Sequence, residues 1–339
     1  MSSSPVTTDV AIIGAGPVGL FAVFECGMLK MRCHVVDSLA VIGGQCAALY
    51  PEKPIYDIPG YPEVMAQDLI DRLTEQAAPF KPVYHLDQQV TALEPGAPGR
   101  WRLTTAKGTV IDAAAVMIAA GSGAFGPNRP PLPGIEAYEG SSVHYLVQRR
   151  ADFQDKRVVI AGGGDSAVDW ALSLAEVAEK IYVVHRRPKF RAAPESVDRL
   201  HRLAETDKLE LVIPYQLAGL EGADGQLTGV EIADLEGHKK VLPADSLLPF
   251  FGLSMNLGPI ADWGLNLDHH HITIDPATSQ TSSEGIYAVG DITTYPGKLK
   301  LILCGFSEAA MAAHAIRPRV YPDEELHWEY STTKGVPQG

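Results

Sequence analysis

Short apolar runs closed by glycine or proline recur along the chain. Val10-Ala11-Ile12-Ile13 and Cys33-His34-Val35-Val36 form one pair, and Val158-Val159-Ile160-Ala161 and Ile181-Tyr182-Val183-Val184 another. Each is a strand-sized segment, and the stretch inside each pair is long enough for one helix, which predicts two strand–helix–strand units. Two further runs read as buried strands, one ending at Leu247-Leu248-Pro249-Phe250-Phe251-Gly252 and one at Gly285-Ile286-Tyr287-Ala288-Val289-Gly290-Asp291. A helix is expected from about Cys304-Gly305 through Ala309-Ala310-Met311-Ala312-Ala313. The strongest punctuation is Ala119-Ala120-Gly121-Ser122-Gly123, then Gly126-Pro127-Asn128-Arg129-Pro130-Pro131-Leu132-Pro133-Gly134, where neither helix nor strand persists. The longest apolar stretch, Val10 to Phe24, is interrupted by Gly and Pro, so no membrane span is expected.

The loops after the first strand of each pair share one glycine spacing. Gly14-Ala15-Gly16-Pro17-Val18-Gly19 opens the first helix and Gly162-Gly163-Gly164-Asp165-Ser166-Ala167 opens the second. This is the phosphate-binding fingerprint of a Rossmann unit. Gly14 permits the tight turn, Gly16 lets backbone approach a pyrophosphate, and Gly19 lets the helix lie close to the strand. Gly162, Gly164, Asp165 and Ser166 occupy the matching places in the second copy. The fold expected is therefore α/β with two Rossmann-like dinucleotide-binding domains.

The two copies end on opposite charges. Asp37 closes the first, where a carboxylate accepts hydrogen bonds from ribose hydroxyls. His185 stands at the equivalent place in the second, and Arg186, Arg187 and Arg191 come after it, a cradle for a 2′-phosphate and hence for NADP rather than NAD.

Composition narrows the class further. With 339 residues there is room for two domains, and a net charge of −13 argues against a nucleic-acid partner. The cysteines at 26, 33, 46 and 304 make no C-x-x-C pair and no zinc spacing, so neither a disulfide framework nor a metal is expected. The amino terminus lacks the basic and apolar regions of a signal peptide, which leads to an expected cytoplasmic location.

Beyond the fingerprints, Ile42-Gly43-Gly44-Gln45-Cys46, Leu49-Tyr50-Pro51-Glu52-Lys53, Ile55-Tyr56-Asp57-Ile58-Pro59-Gly60, Gly163 through Ala171 and the Gly290-Asp291 turn resemble, together and over nearly the whole chain, ferredoxin–NADP reductases of the thioredoxin reductase-like type. The resemblance implies an FAD held by a discontinuous domain, residues 1–125 and 249–317, and NADP(H) held by an inserted domain, residues 126–248. Residues 318–339 would be an extension that covers the flavin. It further implies that Asp37 meets the FAD ribose, that Gln45 and Tyr50 line the isoalloxazine, that Val90 offers backbone to the adenine, and that Gly44, Phe125 and Asp291 belong to the same FAD-binding set. Tyr330 would cross from the second subunit of a homodimer to stack on the flavin, with Thr332 in contact. The activity implied is reversible electron transfer between NADP(H) and ferredoxin or flavodoxin, by hydride exchange at flavin N5 and single electrons to the carrier, with no acid–base residue. Thioredoxin reductases carry a C-x-x-C where this chain has Asp165-Ser166-Ala167-Val168-Asp169-Trp170, so no dithiol relay is expected.

Rival readings are a flavin-dependent monooxygenase, suggested by Tyr138-Glu139-Gly140-Ser141-Ser142-Val143-His144, a quinone or disulfide reductase, and a non-enzymatic NADP(H) redox sensor. An acidic enzyme meeting an acidic ferredoxin needs a local positive patch, for which Arg149, Arg150, Lys156, Arg157, Arg199 and Arg202 are the candidates.

Overall fold

The computed structural model describes residues 5–324, without the side chains of residues 124–127 and 253–255. It divides into two compact units, Met1–Ala124 with Met255–Gly339, and Phe125–Ser254.

The first unit opens with β1 (Val6–Ile13), α1 (Pro17–Met28) and β2 (Cys33–Val36). Pro17 starts α1 at a position where its missing N–H costs nothing, and Lys30 in the left-handed region ends the connection, its N–H bonded to Gly27 O. Helices α2 (Gly44–Leu49) and α3 (Ala66–Ala77) come next; α3 buries Ala66, Leu69, Ile70, Leu73 and Ala77, the i, i+3, i+4, i+7 stripe of a helix lying on a core. The main sheet runs Val83–His85, β2, β1, Val110–Ile118, Trp101–Thr105, Val90–Pro95, with Ile286–Ala288 also paired to Val110–Ile118. The strands that carry the site, β1 and β2 with their neighbours Val83–His85, Val110–Ile118 and Ile286–Ala288, are all parallel. One face of this sheet packs Val10, Ile12 and Met117 on Val23 of α1 and on Ala309 and Ile316 near the chain's end. The other packs Ala11, Ile13 and Ile118 with Leu103 and Ile292. Burying one such isoleucine side chain contributes about 2 kcal/mol, so continuous apolar strands are what this two-sided burial requires.

The second unit repeats the plan on a smaller scale. Its parallel sheet is ordered Leu209–Val212, Lys180–Val184, Arg157–Ala161, Ser246–Pro249. Helices α4 (Asp165–Leu174) and α5 (Pro194–Leu203) accompany it. An antiparallel meander, Gln216–Ala223, Gln226–Ala233, Lys239–Pro243, covers one side, its first hairpin turning on Asp224 and Gly225, both at positive φ.

Three expectations change. The return crossing falls after Ser254, not after Leu248, because Ser246–Pro249 pairs in the second sheet and Phe250 N–H then bonds Ala161 O. The outward crossing falls after Ala124, one residue early. The last helix, α6, spans Ile302–Val320 and carries Pro318 within it instead of stopping there. The residues just after Pro318 are tied to the first unit: Arg319 donates to Ala114 O, Gly99 O and Glu284, and Tyr321 OH donates to Lys30 O. Residues 318–324 thus belong to the first unit's packing.

Candidate functional site

In the first unit the glycines create a surface made of backbone. Gly14, at φ +112, is wedged between strands, its N–H bonded to Val36 O; a Cβ there would overlap the Ala119 carbonyl. A Cβ on Gly19 would overlap Gly14 O, so only glycine lets α1 start this near β1. A Cβ on Gly16 would meet nothing nearer than Gly44 Cα at 3.9 Å, which leaves that side of the loop open. The N-terminus of α1 has no side-chain cap, so its first N–H groups are free to face an anion.

Around this loop the other residues gather. Asp37, 9 % exposed, is held by two backbone donors, Ala15 N–H at 2.6 Å and Leu39 N–H at 2.8 Å. Burial pushes its carboxyl up, and the two hydrogen bonds oppose that shift. The turn beside it runs toward Val90, buried at the start of its strand, with Gln88 N–H bonded to Asp37 O. Helix α2 hangs from the loop through Gly43 N–H to Ala15 O, and a Cβ on Gly44 would lie 2.9 Å from Gly16 Cα. Gln45 reaches Gly121, its Nε2 3.6 Å from where a Cβ there would sit. Tyr50 ends α2 with its hydroxyl 3.8 Å from the Cys46 thiol. Burial raises both, Cys46 to about 11 and Tyr50 further, so both stay protonated at neutral pH. Asp291 sits in the 3₁₀ turn Gly290–Ile292 and is close enough to act electrostatically on Cys46 and Tyr50. Burial raises its carboxyl, against Lys298, Lys300 and His271. Gly290 lies against Val18 at the start of α1. Gly14, Gly16, Gly19, Asp37, Gly44, Gln45, Tyr50, Val90 and Asp291 are thus brought to one region. The side chain of Phe125, and Tyr330 and Thr332, lie outside the described residues.

The second unit builds a parallel arrangement. Gly162, at φ +156, has its N–H on Val184 O, and a Cβ there would stand 2.7 Å from Phe250 O. Nothing lies within 4 Å of a Cβ placed on Gly164, and α4 also starts without a side-chain cap. Ser166 is exposed in the first turn, whereas Asp165 turns its carboxylate to the Ala193 N–H at 3.0 Å, a structural bond between α4 and the start of α5. His185 stacks on Phe190 with ring centroids 5.2 Å apart and fills the space beside Gly163, where a Cβ would collide with it. Burial, then Arg186, Arg187 and Arg191, lower its pKa, so it is a neutral platform and the positive charge belongs to the arginines. Arg191 is anchored by its own backbone, with N–H to Gly163 O at 2.6 Å and a bridge to Gly164. Among the described residues no carboxylate pairs with Arg186, Arg187, Lys189 or Arg191.

Of the six expected docking residues, Lys156 and Arg199 have no carboxylate partner among the described residues, and the other four behave differently. Arg149 pairs with Asp152, Arg150 with Glu176, Arg157 with Asp245 and Arg202 with Glu195. Tyr138 through His144 forms a turn in which Ser142, fully buried, donates to Gly225 O and accepts from Leu227 N–H. All four cysteines are free thiols. Sequence reasoning missed Lys298 and Glu308, which bond beneath the Gly290–Asp291 turn; the available signal was one acid, Glu308, amid the alanines of α6.

Residues 8–315 match the pyridine nucleotide-disulphide oxidoreductase family. A ferredoxin–NADP reductase of Paramagnetospirillum magneticum is 64% identical over 98% of both chains, and one of Rhodospirillum rubrum is 62% identical over 99% of this chain and 98% of its own. Among solved structures, the thioredoxin reductase of Lactococcus lactis superposes with a TM-score of 0.80 at 24% identity, covering 93% of this chain and 99% of its own, a likeness of fold. Two glycine loops in separate units, a full-length family match and near-complete overlap with these relatives converge on one conclusion: the chain belongs to the pyridine nucleotide-disulphide oxidoreductase family, among relatives that are ferredoxin–NADP reductases.

Proposed function

We propose that this chain is a flavoprotein ferredoxin–NADP(+) reductase, with FAD in the first unit and NADP(H) in the second. The observation that carries the reading is the contrast in the two loops. One closes on a buried carboxylate fixed by two N–H groups, the other on three arginines without acidic partners among the described residues. The first suits ribose hydroxyls and the second a 2′-phosphate. The residues fit both cofactors: each helix start is uncapped, and the Gly16 and Gly164 positions are open to a phosphate.

When bound, FAD supplies hydride exchange with the nicotinamide and single-electron exchange with the carrier. The chain's own residues orient and shield. Gly16 and Gly44 present backbone, Gln45 and the neutral Tyr50 border the ring, and Val90 borders the adenine. The second unit's Gly162, Gly164 and Ser166 face the pyrophosphate of NADP(H). Arg186, Arg187 and Arg191 select it, with His185 as their support. Cys46 is a single buried thiol held protonated, so no side chain here relays electrons as a dithiol, and the acceptor must approach the flavin itself. We assign the carrier as ferredoxin or flavodoxin, the assembly as a homodimer with Tyr330 and Thr332 of each subunit at its partner's flavin, and the location as cytoplasmic.

Anaerobic mixing of the yellow protein with NADPH, then NADH, and finally oxidised ferredoxin, tests the reading. Rapid bleaching by NADPH, slower bleaching by NADH and recolouring by ferredoxin are expected. Bleached protein that ferredoxin fails to reoxidise would overturn the assignment, and no bleaching at all would return it to an NADP(H) sensor.

A further inference from the structure

Beneath the Gly290–Asp291 turn lies an ion pair whose two side chains are each only 5% exposed, Lys298 with Glu308. Glu308 Oε1 accepts from Lys298 Nζ and from Tyr295 OH, the latter at 2.7 Å, while Oε2 accepts the Gly290 N–H at 2.7 Å. One carboxylate on α6 therefore ties down both the turn and the loop after it. Burying two charges costs several kcal/mol per ion before their attraction offsets it, and an apolar pair would fill the space at lower cost. What the apolar pair would lose is the directed bond to Gly290.

That bond has a fixed geometric consequence. Gly290, at φ +79, lies against Val18, and a Cβ on Gly305, one turn before Glu308 on α6, would overlap Val18 and approach Gly290 Cα to 3.2 Å. The turn, the start of α1 and α6 thus meet around the Val18 side chain, with two glycines making the room for it, and Glu308 holds the turn there. The charges also matter beyond packing: Lys298 and Glu308 act on Asp291 with opposite sign, Lys298 the more strongly, so each offsets part of the other's field at the turn.

We propose that Glu308 is a positioning residue for the flavin: it fixes the Gly290–Asp291 turn against the first glycine loop and, by pairing Lys298, sets the charge next to the ring and hence its reduction potential. This rests on the assignment of the first unit to FAD. No electron or proton passes through the pair.

The two roles separate by substitution. Glu308→Gln keeps an oxygen for the Gly290 N–H but leaves Lys298 as an uncompensated cation, so the midpoint potential of bound FAD shifts positive with FAD retained. Lys298→Met leaves an uncompensated anion and shifts it negative. The double variant returns toward the wild-type potential. Glu308→Ala loses the tie as well, and FAD dissociation rises up to about tenfold relative to Glu308→Gln, as expected for losing one neutral hydrogen bond to the Gly290 N–H. Tyr295→Phe, which removes a hydrogen bond without changing charge, leaves the potential in place. Dye-coupled redox titration and FAD release on dilution read these outcomes. Single variants shifting the potential in the same direction, or not at all, overturn the proposal, as a purely structural pair would lower FAD retention in every variant without opposite shifts. If Glu308→Gln does not fold, Lys298→Met against Tyr295→Phe still decides, since only the former should move the potential. Wild-type protein that takes up no FAD would overturn the underlying assignment, a result visible before any variant is made.

Discussion

Arg191→Ala should convert a selective NADPH site into an indifferent one. Arg191 differs from Arg186 and Arg187 in being fixed at its backbone, with its N–H on Gly163 O at 2.6 Å and a bridge to Gly164. The loop that would hold the pyrophosphate therefore also places the backbone from which this exposed side chain extends, so binding has only side-chain freedom left to order. A hydrogen bond to a charged group contributes about 1.5–3 kcal/mol, so its removal should raise the NADPH dissociation constant about 10- to 150-fold. NADH, without the 2′-phosphate, should bind as before. Arg187→Ala, lacking the backbone anchor, should show the same selectivity at the lower end of that range. The assay is flavin bleaching in stopped flow as a function of NADPH and of NADH, at low ionic strength. Exposed charges are screened over about 10 Å at 0.1 M salt, which would compress the difference. Equal losses with both cofactors would refute the reasoning, because Arg191 would then be supporting the loop and not reading the phosphate.

Arg157→Glu should cost stability and leave the ferredoxin KM unchanged. Arg157 is paired with Asp245 at 2.5 Å, and reversal sets two carboxylates face to face at a partly exposed site, worth about 1 kcal/mol by urea denaturation. Arg319→Ala should lower stability by about 2–3 kcal/mol, since one part-buried guanidinium serves Ala114 O, Gly99 O and Glu284. A loss below about 0.5 kcal/mol would show that the segment after Pro318 is not anchored as described. His34 and His85 share a 3.0 Å hydrogen bond, and burial lowers both pKa values, with His85 and Arg32 adding to the effect at His34. A depressed histidine contributes stability that is full above the unfolded pKa and is lost as pH falls through the folded one. Denaturation midpoints should therefore decline below pH 6.5, and replacing both residues by Gln should flatten that part of the curve.

The glycine loops were legible because their constraints are local. A turn at φ +112 in Gly14 and a helix pressed on Gly14 O by Gly19 admit one residue type, whatever surrounds them. The strands were legible for the same reason, as burial on both faces leaves only apolar residues. The return crossing was not, because Phe250 N–H stays in the second unit through a bond to Ala161, far away in sequence. Pro318 misled in the opposite way. It removes one N–H near the end of α6, but Arg319 and Tyr321 fasten the chain just beyond the defect, and tertiary contacts outweigh the local penalty. His185 shows the limit for a single site residue. Spacing is enough to put it at the end of the fingerprint, yet its charge depends on burial beside Phe190 and on the three arginines around it.

Charge makes the same distinction at the scale of a whole unit. Counting basic residues marked Arg149, Arg150, Lys156, Arg157, Arg199 and Arg202 as a docking patch, but Arg149, Arg150, Arg157 and Arg202 each have a carboxylate within 3.1 Å and project little net field. Among the described residues of the second unit, Arg186, Arg187, Lys189 and Arg191 form a run of cations close in sequence with no carboxylate partner, while Lys156 and Arg199 stand unpaired singly. A protein of net charge −13 thus keeps a cluster of unpaired cations at the loop that would receive the cofactor's phosphate. An anionic cofactor is then drawn to a place where its phosphate can be held. An acidic protein carrier finds four of the six expected docking cations already paired, which leaves Lys156 and Arg199 of that set to attract it. Ionic strength should accordingly weaken NADPH binding more than it weakens ferredoxin turnover at saturating NADPH.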